Sequence, residues 1–164
     1  MKTLIILTTT FLITLTAQGQ IFFQIGQQSY PSTEIVKLQS NSNEFFISDL
    51  NVLFAKDGEK AIIIASTKTK DVLIRGVLII YLDNGMVIQL KDSGTNDYVN
   101  KMASTIYYLS MEDLNKMKIS NINTIRYSLK DKNDEETPFG GDFSASNKGE
   151  KYDFSTLVTN FFGI

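Results

Sequence analysis

The 164-residue chain contains no histidine, no cysteine and no tryptophan, and it has only two prolines. Without histidine and cysteine, the chain lacks a Ser-His-Asp triad and a Cys-His pair, and it lacks the usual ligands of zinc, copper or haem. No disulfide bond is possible either, so a hydrophobic core must stabilise the fold. We therefore predict no catalytic residue, no metal site and no cofactor.

The first 19 residues, MKTLIILTTTFLITLTAQG, follow the order of a secretory leader. Lys2 precedes an uncharged apolar run from Leu4 to Leu15, and small residues follow that run. The run is short for a bilayer core of about 30 Å. We predict that residues 1–19 are a signal peptide and that the mature protein begins near Gln20. It would be secreted or periplasmic, with no stable membrane insertion after cleavage; a buried first strand or a retained anchor is the alternative.

The charge of the chain gives little indication of a partner. The 16 basic and 18 acidic residues give a net charge of −2, and loss of Lys2 with the leader would make it about −3. Because no basic face is implied, nucleic acid is not expected as a partner. The remaining length fits a single domain, residues 20–164. An exported chain without disulfides also fits a bacterial source.

Several β-rich segments alternate with turn signals. The clearest is a hairpin at Asn84-Gly85, between VLIRGVLIIYL and MVIQL, and Asp57-Gly58 marks a second. Val77 to Leu82 is apolar at every position, which predicts a central strand covered on both faces. These segments predict an antiparallel or mixed β-sheet of about seven strands.

Two segments have the pattern of short helices. The first, near residues 111–118, is preceded by Ser110 as N-cap, and Asp113 stands where a capping box places its acidic residue. The second is an amphipathic C-terminal helix near residues 154–162, with apolar residues on one face and Asp153 as N-cap. With the sheet, these helices predict an α+β fold. We interpret the acidic pair at the first helix as helix-capping chemistry and not as a catalytic site.

Residues 130–152, KDKNDEETPFGGDFSASNKGEKY, lack apolar periodicity and predict a flexible polar loop. The loop is rich in carboxylates, including Asp131, Asp134, Glu135 and Glu136, so calcium binding is an alternative. However, the segment lacks the ligand spacing and the glycine of a D-x-[DN]-x-[DN]-G loop. A solvated loop is therefore the favoured interpretation.

Three side chains are candidate ligand contacts. Arg75 and Arg126 are the only arginines, and each interrupts an apolar strand, so their guanidinium groups could hold a carboxylate or phosphate. The alternative is a cross-strand salt bridge with Glu59 or Asp71. Tyr98 is the only aromatic residue of the second polar segment, DSGTNDYVNKMAS, which we expect to be a loop.

The segments LIIYLDNG, TIYYLSMEDL and INTIRYSL resemble those of small exported proteins of unknown function from Gram-negative bacteria. The resemblance covers about a third of the chain and concerns structural motifs. It implies an exported, non-enzymatic α+β domain without a defined site. We therefore expect a binding or structural module for an unknown protein or small ligand. The alternative is a secreted hydrolase that uses a carboxylate pair in a cleft.

Overall fold

The computed structural model describes residues 20–131, 137–149 and 151–164, so the predicted signal peptide lies outside the described residues. Over these ranges the chain forms ten strands and two short helices. In chain order they are β1 (Ile21–Ile25), β2 (Gln28–Ser32), β3 (Val36–Ser40), β4 (Leu50–Asp57), β5 (Lys60–Lys68), β6 (Leu73–Leu82), β7 (Val87–Val99), β8 (Met102–Leu109), α1 (Met111–Ile119), β9 (Ile122–Lys130), β10 (Gly141–Ser146) and α2 (Phe154–Phe162).

Eight of the strands close into an antiparallel β-barrel. Around the barrel the order is β3, β4, β5, β8, β7, β6, β9 and β10. The ring closes where β10 pairs with β3, with Ala145 opposite Ser40 and Ser146 opposite Gln39. The two remaining strands, β1 and β2, form a hairpin that lies outside the barrel and pairs with β4.

The predicted α+β fold with an open sheet of about seven strands is therefore wrong. Strands occupy segments that we expected to be loops: β7 continues through Tyr98, and β10 lies at Gly141–Ser146, within the predicted flexible loop at 130–152. These stretches are polar, and backbone pairing does not require apolar side chains. The closing contact joins residues about 100 positions apart, which no local pattern reports.

The apolar residues form two cores on opposite sides of the barrel wall. The larger core fills the barrel and includes the fully buried side chains of Phe54, Tyr107 and Tyr127. The smaller core lies under the β1–β2 hairpin, on the outer side of β4, β5 and β8. Its buried members are Ile25, Tyr30, Leu53, Ala55, Ile62, Ile64 and Ile106.

The position of the hairpin also explains why the prediction of a doubly covered strand at Val77 to Leu82 is wrong. In β6, Val77 is 47% exposed and Tyr81 is 38% exposed, so one face of this strand meets solvent. The strands covered on both faces are instead β4, β5 and β8; in β5, every residue from Ile62 to Thr67 is buried. Among the described strands of the barrel, β4, β5 and β8 contribute to the core beneath the external hairpin, which gives them a second apolar cover.

Both predicted helices are confirmed and lie at one end of the barrel, which we call the helix-capped end. In α1, the Ser110 hydroxyl accepts from the Asp113 backbone N–H at 3.1 Å, and the Asp113 carboxylate accepts from the Ser110 N–H at 3.0 Å. The predicted capping box is thus confirmed. In α2, the Asp153 carboxylate accepts from the Thr156 N–H at 2.9 Å, while Phe154 is fully buried against Phe54.

Within the described residues, neither helix is long and apolar enough to cross a membrane.

Candidate ligand-binding rim

The end of the barrel opposite the helices is built from loops. The connections at 41–49, 69–72 and 100–101 join β3 to β4, β5 to β6 and β7 to β8. Because neighbouring strands are antiparallel, these three connections emerge at the same end. We call this end the open rim.

A cleft of about 650 Å³ lies among the three connections of the open rim. This volume is within the range typical of small-molecule sites, about 300–1,000 Å³. We call it the rim cleft, and its lining residues are Phe45, Phe46, Ser48, Lys68, Thr69, Lys70, Asp71, Tyr98 and Lys101.

A row of aromatic rings leads from the barrel interior to the rim cleft. The ring centroid of buried Tyr127 lies 6.2 Å from that of Phe143, and the Phe143 centroid lies 6.5 Å from that of Phe46. The Phe46 ring packs edge-on against Phe139 and Phe45, with centroid distances of 5.3 Å and 5.4 Å. Phe45 is the outermost ring and is 91% exposed, so its apolar surface has almost no cover from the protein.

Basic side chains outnumber acidic ones in the rim cleft. Lys68, Lys70 and Lys101 are all exposed, and Asp71 is the one carboxylate residue among the lining residues. The ammonium group of Lys70 lies 4.6 Å from the centre of the Phe139 ring, a cation–π contact that holds this charge beside the aromatic row. Within the described residues, no ion pair joins any of these lysines to a carboxylate.

The backbone of the rim adopts conformations that cost energy. Among the described residues, the non-glycine residues with positive φ are Asp71 at 57°, Asn100 at 53° and Lys101 at 66°. All three lie on the open rim, and two of them line the rim cleft. Positive φ at both Asn100 and Lys101 suits the tight two-residue turn between β7 and β8. Such strain is often found at functional sites, where the surrounding structure must hold it.

Tyr98 of β7 anchors the connection at 69–72, and a backbone hydrogen bond joins that connection to the β7–β8 turn. The Tyr98 hydroxyl accepts from the Asp71 N–H at 2.9 Å and donates to the Thr69 carbonyl at 3.2 Å, while the Thr69 N–H donates to the Lys101 carbonyl at 2.8 Å. The structure thus places this predicted ligand contact in the rim cleft, with its hydroxyl engaged in positioning the loops.

The two predicted arginine contacts lie elsewhere, on the outer wall of the barrel. Arg75 of β6 is in register with Ser128 of β9, and Arg126 lies two residues before Ser128 on the same strand. Arg126 forms an exposed ion pair with Asp142 of β10, at 3.2 Å, and not with Glu59 or Asp71 as the cross-strand alternative proposed. Neither arginine lines the rim cleft, so the structure does not bring the three candidate contacts into one site.

The Asp142 carboxylate is well held on this outer wall. It accepts from the Ser128 hydroxyl at 2.6 Å and from Arg126 at 3.2 Å. The Ser128 hydrogen bond, together with the positive charge of Arg126, lowers the pKa of Asp142. Arg126 is therefore already paired with a protein carboxylate, which makes it a poorer candidate for holding a ligand.

Tyr107 and Tyr127 lie in the barrel interior. Burial raises the pKa of Tyr107, and it raises the pKa of Tyr127 to about 12. Among the described residues, the Tyr107 hydroxyl has no hydrogen-bond partner. It lies beside Asp92, which is directly opposite in the β7–β8 pairing. These rings fill the barrel, and only the row from Tyr127 reaches the rim.

Three further clefts lie among the described residues. One of about 620 Å³ at the helix-capped end includes Glu59, one of about 580 Å³ includes Asp49, and one of about 370 Å³ includes Asp97. In the described part of the chain, each contributes one carboxylate side chain to its lining. None of these clefts offers the carboxylate pair that the hydrolase alternative requires.

Within the described ranges, no group of three or more acidic side chains is placed to hold a metal ion. The calcium alternative depends mainly on Asp134, Glu135 and Glu136, which lie outside the described residues.

Sequence reasoning missed most of the rim cleft. Phe45 and Phe46 stand in an apolar stretch of the sequence, whereas the structure places them in the β3–β4 connection. One signal was present: two adjacent phenylalanines directly follow the polar turn NSNE. No family model, curated protein or solved structure matches this chain.

Proposed function

We propose that this protein is an exported, non-enzymatic binding module whose open rim binds a ligand that combines an apolar group with an anionic group. The observation that carries the proposal is the 91% exposed ring of Phe45 beside three lysines that have no carboxylate partner among the described residues. Burying such a ring is worth about 1.5–3 kcal/mol, a free energy that folding leaves unused.

The rest of the rim supports a binding role. The aromatic row anchors Phe45 to the barrel through Phe46, and the Tyr98 hydrogen bonds hold the loop that carries Lys70 close to the turn that carries Lys101. Loops held in place by a rigid barrel are a common way to present a binding site. A hydrolase is less well supported, because the clefts described above each contribute a single acidic side chain.

The test uses anilinonaphthalene sulfonate, a small aromatic anion, as the probe. Isotope-labelled protein is titrated with it, and backbone amide chemical shifts report where it binds. We expect shifts at Ser48, Lys70 and Lys101, with weaker shifts at high salt because the lysine contribution is screened. Shifts confined to the cleft at the helix-capped end, or no saturable shifts, would contradict the proposal.

Matched variants separate the rim from the general surface. Phe45→Ser and Lys70→Gln should each weaken binding of the probe, the lysine change by up to about fivefold if the contact resembles an exposed ion pair of about 1 kcal/mol. Ile119→Ser and Lys118→Gln are the controls, because both side chains are exposed on α1 at the opposite end. Equal losses of probe affinity in the rim variants and in the control variants would mean that the probe binds nonspecifically.

A further inference from the structure

We infer that the open rim docks on an anionic phospholipid surface, with Phe45 entering the headgroup region and Lys68, Lys70 and Lys101 facing the lipid phosphates. This inference rests on the proposed function of the same rim and names the ligand of that site.

The exposure of Phe45 favours a surface over a small molecule. A ligand confined to the rim cleft lies beside this ring and leaves much of it in water, because the ring is 91% exposed at the outer end of the aromatic row. A lipid headgroup layer would surround the ring on all of its free sides. Aromatic side chains are favoured in this layer, where apolar surface is removed from water.

The arrangement of the loops also suits a broad, flat partner. Phe45, Lys70 and Lys101 belong to three different connections that emerge at one end of the barrel. A plane across this end of the barrel therefore meets all three connections. Val99, which is 55% exposed at the end of β7, adds a second apolar side chain next to the same turn.

The charges of the rim complement an anionic surface, although the whole chain has a net charge of −2. The described acidic residues of the connections at this end are Glu44, Asp49, Asp71 and Asp131. Asp49 is paired with Lys37 at 3.3 Å, and among the described residues none of the three rim lysines is paired with a carboxylate. The lysine ammonium groups are therefore available to an anionic surface. A few lysines and one aromatic ring are enough only for reversible docking, which differs from stable insertion.

Vesicle sedimentation tests this inference directly. The protein is produced with its own N-terminal segment and recovered after export, and all variants are prepared in the same way. We expect it to sediment at low salt with vesicles of equal parts phosphatidylglycerol and phosphatidylcholine, and not with vesicles of phosphatidylcholine alone. High salt should release it. Equal binding to both vesicle types, or no binding to either, would overturn the inference.

Variants locate the docking surface. Lys70→Gln and Lys101→Gln should each lower the partition onto anionic vesicles by about fivefold, and Phe45→Ser by about tenfold. Ile119→Ser and Lys118→Gln should partition like the parent protein. Thermal melts of each variant establish that it is folded. Parent-like partition of the folded Phe45→Ser and Lys70→Gln variants would overturn the inference.

The vesicle test and the probe titration fail in different ways. If the sulfonate probe binds at the rim but anionic vesicles do not, the inference of a lipid surface is wrong, while the proposal of a binding module is supported. A soluble anion, or an acidic segment of a protein, would then be the ligand. If neither binds, both proposals are wrong.

Discussion

The two ends of the barrel use their apolar residues in opposite ways. At the helix-capped end, Phe154 is fully buried against Phe54, and both helices begin with a satisfied N-cap. At the open rim, Phe45 faces solvent and non-glycine residues adopt positive φ. The helix-capped end thus has a buried ring and two capped helices, although Ile119 is exposed on α1, whereas the open rim has an exposed ring beside lysines without a carboxylate partner among the described residues. We expect the helix-capped end to contribute to stability and, as proposed above, the open rim to contribute to binding.

The largest contrast should come from two phenylalanines. Phe154→Ala removes a fully buried ring and should lower the free energy of unfolding by about 3–5 kcal/mol. Phe45→Ala should change it by less than about 0.5 kcal/mol, because the ring is exposed. Urea denaturation measures both, and Phe154→Leu gives a folded intermediate case if the alanine variant does not fold. Equal losses for the two alanine variants would remove the distinction between the ends.

The buried tyrosines should make the barrel interior sensitive to alkali. Their pKa values are raised in the folded protein, to about 12 for Tyr127, so an unfolded chain releases these protons at lower pH. The contribution of these tyrosines to the free energy of unfolding is therefore fully present below about pH 10. It is lost as the pH rises toward their pKa values in the folded protein. Tyr127 alone should account for about 1.4 kcal/mol at about pH 11.

Urea denaturation at several pH values measures this loss. Tyr107→Phe should reduce the alkaline loss without lowering stability at neutral pH, because the hydroxyl that it removes has no partner among the described residues. Tyr81→Phe is the matched control, since Tyr81 lies on the exposed face of β6. An alkaline loss that is unchanged in Tyr107→Phe would exclude Tyr107 as a source of the effect.

A smaller effect should separate the hydroxyl that caps α1 from a comparable hydroxyl on the rim. Ser110→Ala should cost about 1 kcal/mol of stability, and Ser110→Gly should cost less, because glycine leaves the freed N–H groups open to water. The Ser42 hydroxyl accepts from the Glu44 N–H at 3.1 Å in the loop at 41–49, so Ser42→Ala removes a similar hydrogen bond from an exposed turn. Denaturant melts should show a smaller loss for Ser42→Ala than for Ser110→Ala.

The smallest expected effect concerns the Arg126–Asp142 ion pair on the outer wall of the barrel, between the two ends. A double-mutant cycle with Arg126→Gln and Asp142→Asn should give a coupling energy of at most about 1 kcal/mol, since the ion pair is exposed. The coupling should decrease in high salt. The Arg126→Gln variant should also bind the sulfonate probe like the parent protein. Loss of probe binding in this variant would move the site from the rim to the wall.

The features that were predicted correctly depend on residues close together in the chain. Ser110 and Asp113 form the capping box, and Asp153 caps α2, because a helix start is decided within one turn. The Asn84-Gly85 turn joins β6 to β7 as predicted, with Gly85 at a φ of 86°. In each case the interacting atoms are within a few residues, so local chemistry determines the geometry.

The rim cleft could be predicted only in part. Tyr98 was identified because it is the one aromatic residue of a polar segment, and it does line the cleft. Phe45 and Lys101 are far apart in the sequence, and neither belongs to a periodic pattern that could connect them. They are neighbours only because the connections of alternate strand pairs emerge at the same end of the barrel. Arg75 and Arg126 were grouped by residue type, but their strands place them on the outer wall.

By itself, the sequence determined the side-chain chemistry present in this chain: it has no imidazole or thiol, and its polar groups are carboxylates, amines, guanidinium groups, amides and hydroxyls. It also determined the helix starts and the tight turns. The tertiary structure alone decided that β3 and β10 meet and close the sheet, and that helices lie at one end while Phe45 stands at the other. The physical reason is that local preferences act over a few residues, whereas closure and end placement depend on long-range strand pairing and on burial against distant parts of the chain.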